Sequence, residues 1–167
     1  MRMKPIYLLL FIVVFASCSA PSNDGEFELF DDETQTEELE AISLSTLEQE
    51  LFDLVNEHRT NLGKSALTYS GETYIYAKRH NDYMISKGAL SHHNFNERSA
   101  NISRQTAAIR VAENVAKFFP TPAEALQAWL DSAPHKKTIE GDFTHATLSI
   151  ALDGNGDPYY TQIFFKK

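Results

Sequence analysis

Apolar residues recur at helical spacing through much of the chain and alternate with polar ones near its end. Leu47, Leu51, Leu54, Val55, His58 and Leu62 fall three or four apart, which predicts an amphipathic helix. Ser45 and Glu48 open it as a capping box, the serine covering a free amide and the glutamate reaching back, and Gly63 supplies the stop. A second helix is expected over 71–87, capped by Ser70, closed by Gly88 and turning Tyr76, Ala77, His80, Tyr83 and Met84 inward. NFNERSANISRQ, 94–105, has no clear period and reads as polar loop. A third helix is predicted over 106–118, carrying Glu113. The fourth starts sharply, with Thr121 as cap, Pro122 at the first helical position and Glu124 three past the cap. Ala125, Leu126, Trp129 and Leu130 form its apolar stripe. Beyond Phe143 the period becomes two: ATLSIAL, a DGNGDP turn and YYTQIFF predict a β-hairpin. Helices first and paired strands last give an α+β class, with helices packed on an antiparallel sheet.

The front of the chain belongs to no such element. Arg2 and Lys4 precede an 11-residue apolar run, Ile6 to Ala16, too short for the ~20 residues a membrane-spanning helix needs. That pattern predicts a secretory signal over 1–17. Cys18 is the only cysteine, so the domain must be stable without an internal disulfide. Its place after Phe15-Ala16-Ser17 resembles the bacterial lipobox, which implies acylation of Cys18 and a lipid-anchored mature protein. By resemblance to sorting rules, Ser19 favours the outer membrane.

Charge divides the remainder of the chain in two. Residues 19–46 carry nine Asp and Glu and no Lys or Arg, so 18–46 reads as the lipidated cysteine and an extended acidic tether. From Leu47 onward 14 acidic residues face 13 basic ones. A near-neutral domain, 47–167, predicts no basic patch, which argues against nucleic acid as a partner. The expected state is a monomer.

Four features could meet in one cleft: His92 or His93, Glu113, His135, and Thr161-Gln162. Side chains at element ends sit where cavities open. Asp153, Asn155 and Asp157 suggest a calcium loop, but Pro158 stands where its sixth-position glycine belongs, so a plain turn is expected.

The wording of these segments adds more. LVNEHRTNLG, AKRHNDYM, SH at 91–92, AEN at 112–114, AWLDSAPH at 128–135 and YYTQIF at 159–164 occur in that order. Together they resemble the CAP superfamily (cysteine-rich secretory protein, antigen 5 and pathogenesis-related 1), in its compact bacterial branch. The resemblance implies an α-β-α sandwich with a central antiparallel sheet and a cleft lined by histidine and acid. It places His92, Glu113 and His135 in that cleft, supported by Ser91, Asn114, Trp129, Ser132 and Gln162. Asp131 and Ser132 stand near where longer members have a second cleft glutamate, so a three-residue cluster is expected.

Two imidazoles and a carboxylate could hold a divalent cation, Zn²⁺ being the metal this donor set suits. Alternatively, His92 and Glu113 could form a hydrogen-bonded pair that orients a general base. HExxH is absent, and no hydroxyl is evidently activated. The functional readings are a binding module for a small ligand, lipid or peptide at the cell envelope, a metal- or histidine-dependent hydrolase, or a protein adaptor with an incidental cleft. A shared fold does not rank them, and whether the chain is an enzyme stays open. His58 and His80 read as packing residues, His145 as a strand-edge residue and His93 as a surface residue.

Overall fold

A computed structural model describes residues 44–167, so Cys18 and most of the acidic segment lie outside the described residues. Helix α1, Thr46–Asn61, starts on the expected capping box: Ser45 Oγ accepts from the Glu48 amide at 3.3 Å, and Glu48 accepts from the Ser45 amide at 2.8 Å. The chain turns at Gly63 in the left-handed region. A short strand, β1 (Thr68–Tyr69), and one 3₁₀ turn, Gly71–Thr73, lead into α2, Tyr74–Lys87. Ser70 makes no side-chain cap there, so the second helix begins three residues later than expected. After it come α3 (Phe95–Thr106), β2 (Arg110–Lys117), α4 (Pro122–Asp131), α5 (Ala133–Ile139), β3 (His145–Leu152) and β4 (Pro158–Lys166).

The sheet runs β1-β3-β4-β2. β4 is antiparallel to both neighbours, and β1 adds a two-residue parallel pairing at the far edge. Side chains alternate across it. Ile163 and Phe165 pack with Ala77 and Ile102, and Tyr159 packs with Met84 and Val115, on the α2–α3 side. Tyr160 and Phe164 join Leu51, Val55, Leu126, Trp129 and Ile139 on the α1–α4–α5 side. The result is the expected α+β architecture, an α-β-α sandwich.

Two expectations fail in the middle of the chain. Segment 94–105 is helix, not loop, and 106–118 is mostly strand, so Glu113 sits on β2 and not on a helix. The apolar residues at 108, 111, 112, 115 and 116 do fit a helix, but β2 is covered on both faces and therefore shows no alternation. Pairing of Arg110–Lys117 against Tyr159–Lys166 overrides the local pattern.

Buried polar groups tie the layers together. Asn81 on α2 donates to the Ser149 carbonyl at 2.8 Å and accepts from Thr161 Oγ1 at 2.7 Å. Arg59 near the end of α1 is buried, and its guanidinium donates to the carbonyls of Ser65, Ile139, Gly141 and Phe143 at 2.6–3.2 Å. The DGNGDP turn is a plain one: Asp153 Oδ1 accepts from the amides of Asn155 and Asp157.

Candidate functional site

Glu113 lies on the edge strand β2 and points toward the α2–α3 layer. Its side chain is 1% exposed, and a buried carboxylate requires partners. It has them from two directions. Arg98, on the first turns of α3, grips it side-on, with Nε 2.8 Å from Oε2 and Nη2 2.9 Å from Oε1. His92 Nδ1 lies 2.9 Å from Oε1. A carboxylate only accepts, so Nδ1 carries the hydrogen, and the Nε2 of neutral His92 is left as an acceptor. The His92 side chain is 52% exposed.

The loop that presents His92 is fixed at both ends. Gly88 closes α2 in the left-handed region, with its amide on Ile85 and that of Ala89 on Met84. Ser91 accepts from His80 Nε2 through its carbonyl at 2.6 Å and from the His93 amide through its hydroxyl at 2.9 Å. Arg98 also donates to the His93 carbonyl at 3.2 Å. His80 is buried 3.6 Å from Glu113, and burial holds its pKa below the ordinary imidazole value, helped by the charge on Arg98. Neutral His80, with its hydrogen on Nε2, is the form that donates to Ser91.

The adjacent histidines diverge. His92 turns to Glu113, whereas His93 stacks on Tyr83 with ring centroids 4.8 Å apart. His93 remains exposed, beside a cavity of about 220 Å³ that Tyr76, Tyr83 and Arg98 also line.

Asn114, next along β2, points the opposite way, toward α5. It is fully buried and donates to the His135 carbonyl at 3.1 Å. Gln162, its register partner on β4, is also fully buried, and among the described residues neither its amide atoms nor Asn114 Oδ1 has a hydrogen-bond partner. Trp129 donates to the Val115 carbonyl at 3.1 Å, and Ser132 is the junction between α4 and α5. The half-buried His135 is held below the ordinary imidazole pKa by burial and then by the proximity of His92. Glu113 and His92 therefore meet on one side of β2, and His135 comes from the other.

Comparison with known proteins settles the lineage. Residues 52–164 match the CAP family, described as the cysteine-rich secretory protein family. The chain belongs to this family. Among its relatives, the Bacillus subtilis membrane protein YlbC is 28% identical over 127 residues, covering 74% of this chain and 35% of the relative. Bacillus subtilis YkwD is 29% identical over 133 residues, covering 75% and 49%. The chain thus spans between a third and a half of these relatives. Solved structures agree in fold. An outer surface protein of Borrelia burgdorferi matches at TM-score 0.65 and 17% identity, covering 71% of this chain and 91% of that one. An extracellular SCP-domain protein of Bacillus anthracis matches at 0.60 and 27% identity, covering 71% and 40%.

Within this CAP domain, sequence reasoning overlooks one residue that holds Glu113. His80 packs as its spacing suggests, bonded to Ser91, whereas Arg98 lies in a segment without a clear period; once that segment is helical, Arg98 falls one turn after Asn94, facing β2. Arg98 also bears on the expected metal. While it engages both oxygens of Glu113, a divalent cation would have to displace a guanidinium. Among the described residues no three His, Cys, Asp or Glu side chains are grouped to hold an ion. As arranged, Glu113 is turned to Arg98 and His92 and is not offered as a third ligand beside His92 and His135.

Proposed function

We propose that the chain is an envelope-facing CAP binding module, anchored through lipidated Cys18, that takes a small polar ligand, lipid headgroup or peptide at His92. The observation that carries this reading is the half-exposed His92 ring, oriented from behind by the buried Glu113. A ligand donor meets a fixed acceptor there, at little cost in side-chain ordering. Binding is favoured over hydrolysis for two reasons. Among the described residues no hydroxyl hydrogen-bonds to His92, so the ring is not paired with a serine or threonine nucleophile there. Arg98 also engages both oxygens of Glu113, and the role left to the carboxylate at His92 is to orient the ring. The outer surface, extracellular and membrane descriptions of its relatives support the envelope placement.

The test uses the full chain, wild type and His92→Ala, titrated with a lysophospholipid, a tetrapeptide and N-acetylglucosamine while amide NMR shifts are followed. Shifts around His92, Asn94 and His135 with at least one probe, lost in His92→Ala, are expected. No cleft shift with any probe, or one that persists in the variant, overturns the reading. For the anchor, Cys18→Ser moves the protein from the membrane fraction to the soluble one; a variant that stays with membranes removes that part.

A further inference from the structure

The even charge count conceals an uneven distribution. Lys64 after α1, Arg110 at the start of β2, and Lys136 and Lys137 near the end of α5 converge on one open groove of about 470 Å³. The absence of a basic patch, expected from the balanced count, is thereby corrected: three separate stretches of sequence supply the charge. The one acidic residue lining the groove, Glu140, is bonded to His58 at 3.0 Å. None of the four cations forms an ion pair among the described residues. Behind the groove lies the buried Arg59, whose hydrogen bonds all go to carbonyls, two of them Ile139 and Gly141 at the groove's edge. Arg59 thus adds a fifth positive charge, partly offset by nearby Asp142, whose carboxylate is itself paired with Lys166. Basic residues near a helix C-terminus are often there for the helix dipole. Here Arg59 already takes the Ile139 carbonyl, and Lys64 and Arg110 belong to other elements.

We propose that this groove binds a phosphate-bearing anion of headgroup size. Like charges gathered in one concavity repel one another, and a dianion relieves that repulsion. Arg110 is held in place, its guanidinium 4.7 Å over the Phe143 ring, and offers a planar fork beside the point charges of the lysines. The site is separate from His92 and stands on different observations, so either can fail without the other.

The test uses the full chain carrying Cys18→Ser, so that no acyl group contributes to binding. Two probes distinguish the source of the phosphate: glycerol phosphate in solution, and phosphatidylglycerol vesicles against phosphatidylcholine ones. Lys136→Gln/Lys137→Gln, both exposed, is compared with the control pair Lys78→Gln/Lys87→Gln. At roughly 1 kcal/mol per basic residue near an anionic surface, the groove pair loses at least tenfold in affinity and the control pair little. Loss for the soluble probe identifies a free phosphate ligand; binding confined to anionic vesicles, lost likewise, identifies a lipid headgroup. No binding of either probe, an equal loss in the control pair, or tighter binding of a short oligonucleotide than of both probes overturns the proposal.

Discussion

Glu113 shows how one side chain can organise its surroundings. It is buried, and Arg98 is nearly so, at 9% side-chain exposure. Removing one member of such a pair strands the other charge in a poorly solvated place, at a cost of about 3–5 kcal/mol. Arg98→Leu is therefore expected to be among the most destabilising exchanges near the cleft, read as a drop in urea midpoint. Arg98→Leu combined with Glu113→Leu should recover much of the loss, because neither charge is then orphaned. A single-variant loss under about 1 kcal/mol, or a fully additive double variant, would contradict this picture. His92→Ala should cost far less stability, since its ring is half in solvent.

At the scale of elements, the ends of α3 are unusual and testable. It begins after Asn94 and stops at Ala107, both left-handed, at φ values of 56° and 59°. An alanine there bears a steric penalty that glycine lacks. Ala107 is exposed, so Ala107→Gly is expected to raise stability by about 1 kcal/mol, measured as a higher urea midpoint; an unchanged or lower midpoint would count against it. The same features explain which elements are legible in the sequence. α1, α4 and the β3–β4 hairpin carry their own punctuation in Ser45 with Glu48, Thr121 with Pro122, and the DGNGDP turn, and each is readable locally. α3 has no side-chain cap at its start and no glycine at its stop, so nothing local marks it. β2 misleads because contacts far away in sequence decide it. The motif wording brings His92 and Glu113 to one cleft even so, whereas Arg98 has no position until α3 is a helix.

At the scale of the whole molecule, three histidines make stability depend on pH. His80, His135 and His145 are each held below the ordinary value of 6.5, burial being the leading cause. As pH falls through 6.5 the unfolded chain takes up protons that the fold resists. Their contribution is thus present above that value and is lost progressively below it. Urea midpoints should fall between about pH 7.5 and 5.5, and His80→Gln, whose amide can still donate to Ser91, should flatten part of that fall. A midpoint that rises on acidification would be inconsistent with neutral histidines in the fold. The position of β4 has a consequence for how such a molecule comes into being. It is the shared partner of β2 and β3, yet it follows every other element in sequence. A chain emerging from synthesis or through a translocation pore, N-terminus first, can form helices but no sheet beyond the two-residue β1–β3 contact until β4 arrives. Folding therefore waits for nearly the whole domain to be delivered, and until then the polypeptide stays loose enough to be threaded.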